Sequence, residues 1–174
     1  MNTDWAILSK NFLFFLTGLV LLFLQAHPLL PFGKHGTRPD LILMFVIYAG
    51  LNCTFSKGAF TSFFFGYCVG ILSGANCGLY LIIYLNVFVG IKILQKYFNF
   101  DAIIKLFFLL LVCLSVKFII LHFSFYFIYE YEFFVLKKTL LKETVFTLLL
   151  FPFVFFLIDK ICNQQKVTSR SIIT

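Results

Sequence analysis

The stretch that decides the fold covers residues 59–94. It reads AFTSFFFGYCVGIL, then SGANCG, then LYLIIYLNVFVGIKIL. Two apolar runs, residues 59–72 and 79–94, therefore stand on either side of a short segment of small and polar residues. Long apolar runs bounded by such breaks are typical of transmembrane helices. The stretch predicts two membrane helices joined by a tight hairpin turn.

The composition of the whole chain agrees with a membrane protein. Hydrophobic residues make up 61% of the 174 residues, and charged residues make up 12%, against about 25% in ordinary soluble domains. The mean hydropathy is +1.01. These values exclude a soluble globular enzyme, a disordered chain and a fibrous repeat. Because one membrane helix needs about 20 residues, the chain has room for about six helices and for little else.

Four further apolar runs complete the predicted bundle. The fold class is therefore an all-α integral membrane protein, a single domain over residues 1–174 with six spans at about 5–24, 41–53, 59–72, 79–94, 103–127 and 139–158. The second run is short, so its helix is tilted, helped by its neighbours, or begun outside the lipid, and a five-span bundle without it is the alternative. Pro152 is expected to kink the sixth span or to open a local gap in its backbone bonding.

The placement of the charges predicts the orientation. Lys and Arg outnumber Asp and Glu by 14 to 7, but they stand singly between apolar runs, which argues against nucleic-acid binding. With six spans, the cytoplasmic side carries Lys10, Lys57, Lys92, Lys96, Lys105, Lys160, Lys166 and Arg170, and the outer side carries Lys34, Arg38, Lys137, Lys138 and Lys142. By the positive-inside rule, both termini are cytoplasmic, and residues 159–174 form a short basic tail.

Glycines recur every four residues through the third span and the turn after it, at Gly66, Gly70, Gly74 and Gly78. Such spacing lines one helix face and lets another backbone approach closely. Two interpretations remain open, packing against a helix of the same chain and a groove for the transmembrane helix of a partner. Gly74 and Gly78 are equally suited to the turn, where positive φ is needed.

Lys117 lies well inside the fifth span. An ionisable group in hydrocarbon costs about 2.5–3.5 kcal/mol or more unless it is paired or reaches the interface. Glu143 lies about as deep in the sixth span as Lys117 does in the fifth. The two residues therefore either form an intramembrane ion pair, or Lys117 extends outward while Glu143 lies among the headgroups.

The triplet Arg38-Pro39-Asp40 opens the second span. Pro suits a first helical turn and Asp a helix N-terminus, so the triplet predicts a capped helix start. Alternatively, Arg38 contacts a partner or a headgroup phosphate. Asp40 is grouped with the other carboxylates at the span ends, where we expect them to be solvated: Asp101, Glu130, Glu132 and Asp159.

No pattern in the chain points to catalysis, to a metal or to a cofactor. The three histidines, His27, His35 and His122, are too scattered for a ligand set, and the five cysteines contain no C-x-x-C pair. Hydrolase and nucleotide-binding motifs are also missing from the sequence. We expect no catalytic, cofactor or metal residues.

Several phrases in the first half of the chain resemble a known family. Arg38-Pro39-Asp40-Leu41-Ile42-Leu43 opens a span, and Lys57-Gly58, Phe64-Phe65-Gly66, Leu72-Ser73-Gly74 and Gly78-Leu79-Tyr80 follow in order. Their order and spacing resemble the rod shape-determining MreD family, and the length, span count and basic tail agree with it. The family commonly has an acidic residue four positions before the Ser-Gly glycine, where this chain has Gly70.

The resemblance implies a non-enzymatic component of the bacterial cell-elongation machinery in the inner membrane. It would work with the bitopic shape protein MreC, and family members are linked to MreB, to RodA and to a class B penicillin-binding protein. The resemblance also implies a fold similar to the substrate-binding subunits of energy-coupling-factor vitamin transporters. We expect a binding surface formed by Arg38, Asp40, Gly66, Gly70, Ser73, Gly74 and Gly78.

A vitamin-binding transporter subunit of the same architecture is the main alternative function. The first helix of that family resembles an A-x-x-x-A docking surface, whereas residues 12–24 of this chain contain no Ala. The difference counts against the transporter.

Overall fold

A computed structural model describes residues 2–26, 39–74, 77–98, 103–128 and 133–170, with side chains over 12–26, 39–74, 78–98, 104–124 and 142–161. Within these residues the chain forms six helices: α1 Asn2–Ala26, α2 Leu41–Asn52, α3 Phe55–Ser73, α4 Cys77–Leu94, α5 Ile103–Ile128 and α6 Phe133–Arg170. Each predicted span corresponds to one helix, which confirms the all-α prediction.

Among the described residues, three stretches are long and apolar enough to cross a membrane, Phe55–Ser73 in α3, Ile104–Ser124 in α5 and Lys142–Ile161 in α6. Shorter apolar stretches, Phe12–Ala26, Leu41–Asn52 and Gly78–Leu94, lie in α1, α2 and α4. The bounds of α6 differ most from the predicted ones, because the helix begins before residue 139 and continues through the basic segment as far as Arg170. Pro152 lies inside it, and the helix continues on both sides.

Helix α2 lies at the centre of the bundle. Every residue from Leu41 to Gly50 is buried, and α2 packs against α1, α3, α4 and α6. A helix that is hydrophobic all round belongs in such a position. The short length of the second span follows from it, because a helix enclosed by protein does not have to match the lipid thickness.

The first turn of α2 finds acceptors outside the helix. The backbone N–H of Leu41 donates to the carbonyl of Pro39 at 3.1 Å, that of Ile42 to Oε1 of Gln25 on α1 at 3.1 Å, and that of Leu43 to Oδ1 of Asp40 at 2.9 Å. The first N–H groups of a helix have no intrahelical partner. The predicted cap at Asp40 is therefore confirmed, and α1 contributes a second one.

The last turn of α2 is held by α4. Lys92 Nζ donates to the carbonyl of Cys53 at 2.8 Å, and Gln95 Nε2 donates to the carbonyl of Leu51 at 2.9 Å. The final carbonyls of a helix also lack intrahelical partners, and a cation is favourable near them because the helix dipole is negative there. Side chains of neighbouring segments thus satisfy backbone groups at both ends of this short helix.

Within the described bundle, α3 and α4 are in more extensive contact than any other two helices. At Gly66 a Cβ atom would lie 2.9 Å from the Cα of Leu81 and 3.2 Å from the carbonyl oxygen of Tyr80. Only glycine permits this approach of two backbones. Helix α3 then ends at Gly74, whose φ of 64° is left-handed. Gly66 therefore serves packing within the chain, and Gly74 serves the turn.

Candidate functional site

An ionic cluster lies inside the bundle and joins α2, α5 and α6. Lys117 Nζ of α5 lies 2.5 Å from Oδ2 of Asp40 and 2.5 Å from Oε1 of Glu143 on α6. Lys117 is only 4% exposed, so its side chain does not extend outward to the interface. The ammonium is instead shared between two carboxylates from different helices.

Asp40 is the most enclosed member of the cluster, with 1% of its surface exposed. Its Oδ1 accepts from the hydroxyl of Tyr84 on α4 at 2.8 Å and from the Leu43 backbone at 2.9 Å, while Oδ2 faces Lys117. Both carboxylate oxygens are therefore occupied. Full hydrogen bonding of this kind is what allows a charge to be buried at all.

Thr147 connects the cluster to the backbone of α6. Its hydroxyl donates to the carbonyl of Glu143 at 2.7 Å and accepts from the backbone N–H of Asp40 at 3.2 Å. One hydroxyl thus fixes the start of α2 against the turn of α6 that carries Glu143. The register between these two helices is set by polar contacts as well as by packing.

A cleft of about 450 Å³ opens over the cluster, and residues from all six helices or their caps line it. Its polar side chains belong to Gln25, Asp40, Ser73, Tyr80, Lys117 and Glu143, and its apolar ones to Leu22, Ala26, Val69 and Leu72. A volume of this size is within the range of small-molecule sites, about 300–1,000 Å³. The bundle therefore contains a polar cavity with an ionic floor.

The charges of the cluster do not balance. With its three groups ionised, the two carboxylates of Asp40 and Glu143 face the one ammonium of Lys117, which leaves a net charge of one negative unit. Glu143 is the carboxylate that is open to the cleft, because its side chain is 21% exposed whereas that of Asp40 is 1% exposed. In a medium of low dielectric constant such an excess attracts a cation strongly.

The structure brings some of the expected site residues together and separates others. Asp40, Ser73, Lys117 and Glu143 line the cleft. The four glycines of the expected site do not line it. Gly66 and Gly70 are buried in the bundle, whereas Gly74 and Gly78 are exposed. The expected role of Arg38 falls outside the residues that the structure describes.

The expected solvation of Asp40 is wrong, because the residue is buried and bonded to Lys117. Its physical reason is enclosure, because side chains of four other helices contact Asp40 or the first turn of α2: Gln25 of α1, Tyr84 of α4, Lys117 of α5 and Thr147 of α6. The sequence alone does not show which helices surround the start of α2.

Two further cluster residues, Tyr84 and Thr147, were not expected. No local pattern distinguishes their hydroxyls from those of other residues in apolar runs.

The other carboxylates at the span ends were expected to be solvated. Asp159 is only partly so, since it is half-buried and accepts from the hydroxyl of Tyr48 at 3.5 Å. Asp101, Glu130 and Glu132 lie outside the described residues. Within the described part of the chain, no group of three or more His, Cys, Asp or Glu residues is arranged to hold a metal ion.

Comparison with known proteins gave one match. The family model described as rod shape-determining protein MreD matches residues 6–161, which is nearly the whole chain. Searches of curated proteins and of solved structures gave no match.

Proposed function

Because the chain belongs to the MreD family, which has a role in determining rod shape, we propose that it is a non-enzymatic scaffold or regulator of bacterial cell elongation. It lies in the cytoplasmic membrane and binds a bitopic protein of the MreC type. The observation that carries this proposal is the family match over residues 6–161. Through that partner it works with MreB, RodA and a class B penicillin-binding protein in peptidoglycan synthesis.

The proposed partner surface is the outer end of α4, beginning at Gly78. A Cβ atom at Gly78 would meet nothing within 4 Å, and Ile82, one turn later on the same face, is an exposed large hydrophobic. Ile71 and Leu72 of α3 are exposed beside the turn. A small residue among exposed apolar ones suits close packing of a second transmembrane helix.

The test is affinity purification of the tagged protein in mild detergent from its native membrane, with every co-purifying protein identified. Gly78→Leu is expected to reduce recovery of the MreC-type partner about tenfold, which corresponds to about 1.4 kcal/mol, while the protein stays monodisperse. The matched control is Ser115→Leu, another small-to-large change at an exposed position, on α5.

Unchanged recovery with Gly78→Leu would contradict the proposed surface. Gly70 and Gly74 are unsuitable for this experiment, although the sequence pattern made them candidates, because Gly70 is buried and Gly74 has a positive φ. A Leu side chain at either position would disturb folding itself, and loss of the partner would then carry no information.

A substrate-binding subunit of a vitamin or small-molecule transporter is the second candidate, and the polar cleft of about 450 Å³ is the observation that favours it. The same purification separates the two functions. Recovery of paired ATPases with a coupling subunit would support the transporter and would contradict the scaffold.

A further inference from the structure

The cleft above the ionic cluster contains a charged hydrogen-bond acceptor that has no donor among the described residues. Glu143 uses Oε1 for Lys117, and among the described residues no donor reaches Oε2. Asp40 is less open to a ligand, because both its oxygens already accept from Tyr84, Leu43 and Lys117 and only 1% of its surface is exposed. The cluster therefore offers one carboxylate oxygen, Oε2 of Glu143, to a ligand in the cleft.

The same cleft also has free donors. The ammonium of Lys117 has three N–H groups, and the described residues accept two of them, at Asp40 and Glu143. Gln25 uses its Oε1 to accept from Ile42, and its Nε2 has no acceptor among the described residues. A buried ammonium with one unused N–H is costly to leave unpaired, so it favours a ligand that brings an acceptor.

The rest of the cleft is apolar on the side of α1 and α3, where Leu22, Ala26, Val69 and Leu72 line it. Leu72 is 54% exposed, so this wall reaches the surface of the bundle. A ligand therefore meets charge at the floor and hydrocarbon at the mouth.

We propose that the cleft binds a primary ammonium group with an oxygen acceptor a few atoms away, as in the ethanolamine headgroup of a phospholipid or in free phosphoethanolamine. The ammonium donates to Oε2 of Glu143 and offsets the excess negative charge. The phosphate oxygen accepts from the third N–H of Lys117 and from Nε2 of Gln25. Charge-assisted hydrogen bonds of both signs then hold one zwitterion.

The choice of a primary over a quaternary ammonium follows from the hydrogen bonds. Phosphocholine carries the same charges as phosphoethanolamine, but its nitrogen has no N–H to donate to Glu143. Quaternary ammonium sites in proteins use aromatic cages instead, whereas Tyr80 is the aromatic residue that lines this cleft. Phosphocholine is therefore the matched control ligand.

The test measures thermal unfolding of the purified full-length protein in two arms. In detergent, phosphoethanolamine or phosphocholine is added. In nanodiscs, dioleoyl phosphatidylethanolamine or dioleoyl phosphatidylcholine is mixed with the same share of phosphatidylglycerol. At roughly 100-fold excess over Kd, we expect phosphoethanolamine to raise the melting temperature by about 5 °C, with little effect from phosphocholine.

Two variants make the test specific. Glu143→Gln removes the charge that holds the ammonium while leaving Asp40 and Lys117 as a balanced pair, and it should weaken binding about tenfold or more. Leu72→Trp narrows the cleft without touching the cluster, and it should also weaken binding. Lys142→Gln, at an exposed neighbour of Glu143, is the control and should bind as the wild type does.

A response in nanodiscs alone identifies the lipid headgroup as the source, and a response in detergent identifies the free compound; either result supports the proposal. It is overturned if neither arm responds, if the choline compounds act as strongly, or if both cleft variants bind like the wild type. None of these readouts depends on a protein partner, so they are independent of the scaffold function.

Discussion

At the scale of single residues, Lys117 has the largest energetic role that the structure identifies. It is the only cation that contacts Asp40 and Glu143 among the described residues. We predict that Lys117→Met lowers the free energy of unfolding by about 3–5 kcal/mol, because it leaves two buried carboxylates facing each other. Denaturant titration in detergent measures this free energy of unfolding. Lys142→Met, at an exposed position, should stay within about 0.5 kcal/mol of the wild type.

A double-mutant cycle tests the pair itself. Combining Lys117→Met with Glu143→Gln should recover part of the loss, because the second change removes one of the unpaired charges. The expected coupling energy is about 0.5–3 kcal/mol. Strict additivity of the two single effects would show that the ammonium and the Glu143 carboxylate do not interact.

Gly66 is the second residue with a specific role, because α4 leaves no room for a Cβ there. Gly66→Ala should destabilise the protein by about 1–3 kcal/mol through overpacking of α3 against α4. Gly90 on α4 is the matched control, since a Cβ there meets nothing within 4 Å. If Gly66→Ala and Gly90→Ala unfold at the same temperature, the two backbones are not in close contact at Gly66.

At the scale of helices, the stability of α2 depends on the side chains that bind its two ends. We predict that Lys92→Met raises the hydrogen-exchange rate of the amides in the last turn of α2 about tenfold or more. The substitution removes the charged donor to the carbonyl of the half-buried Cys53, and a hydrogen bond to a charged group contributes about 1.5–3 kcal/mol. Lys96→Met, at an exposed position one turn later, is the control. Equal exchange in the two variants would contradict the anchoring of α2 by α4.

The helices themselves could be predicted from the sequence, since each apolar run became one helix. The apolar runs do not show how deeply each helix is enclosed by the other helices. The pattern at 41–53 predicts a helix and its Asp40 cap, but hydrophobicity along one helix contains no information about which other helices enclose it. The partnership of Lys117 with Glu143 was one of two alternatives that the sequence left open, because both residues lie inside long runs, and the structure shows the pair. That Asp40 would join them was not predictable, because its place beside Lys117 depends on how α2 packs among the other helices.

At the scale of the whole molecule, the distribution of basic residues predicts that both termini are cytoplasmic and that the chain crosses six times. In a variant without native cysteines, Gly78→Cys should react with a membrane-impermeant maleimide added outside intact cells, and Thr54→Cys should not. Both positions are exposed in the structure, so accessibility to solvent does not favour either one. Labelling of Thr54→Cys from outside would reverse the orientation.

The enclosure of α2 also has a consequence for biogenesis. With about 18 Å of apolar length, α2 is a poor substrate for insertion by the translocon, and its Asp40 carboxylate is matched only when Lys117, 77 residues later, has been made. At about 5–20 residues per second that interval lasts about 4–15 s. We therefore expect α2 to stay near the translocon until α5 emerges. Ribosome-arrested chains should show protease protection of residues 41–52 only when they extend beyond α5.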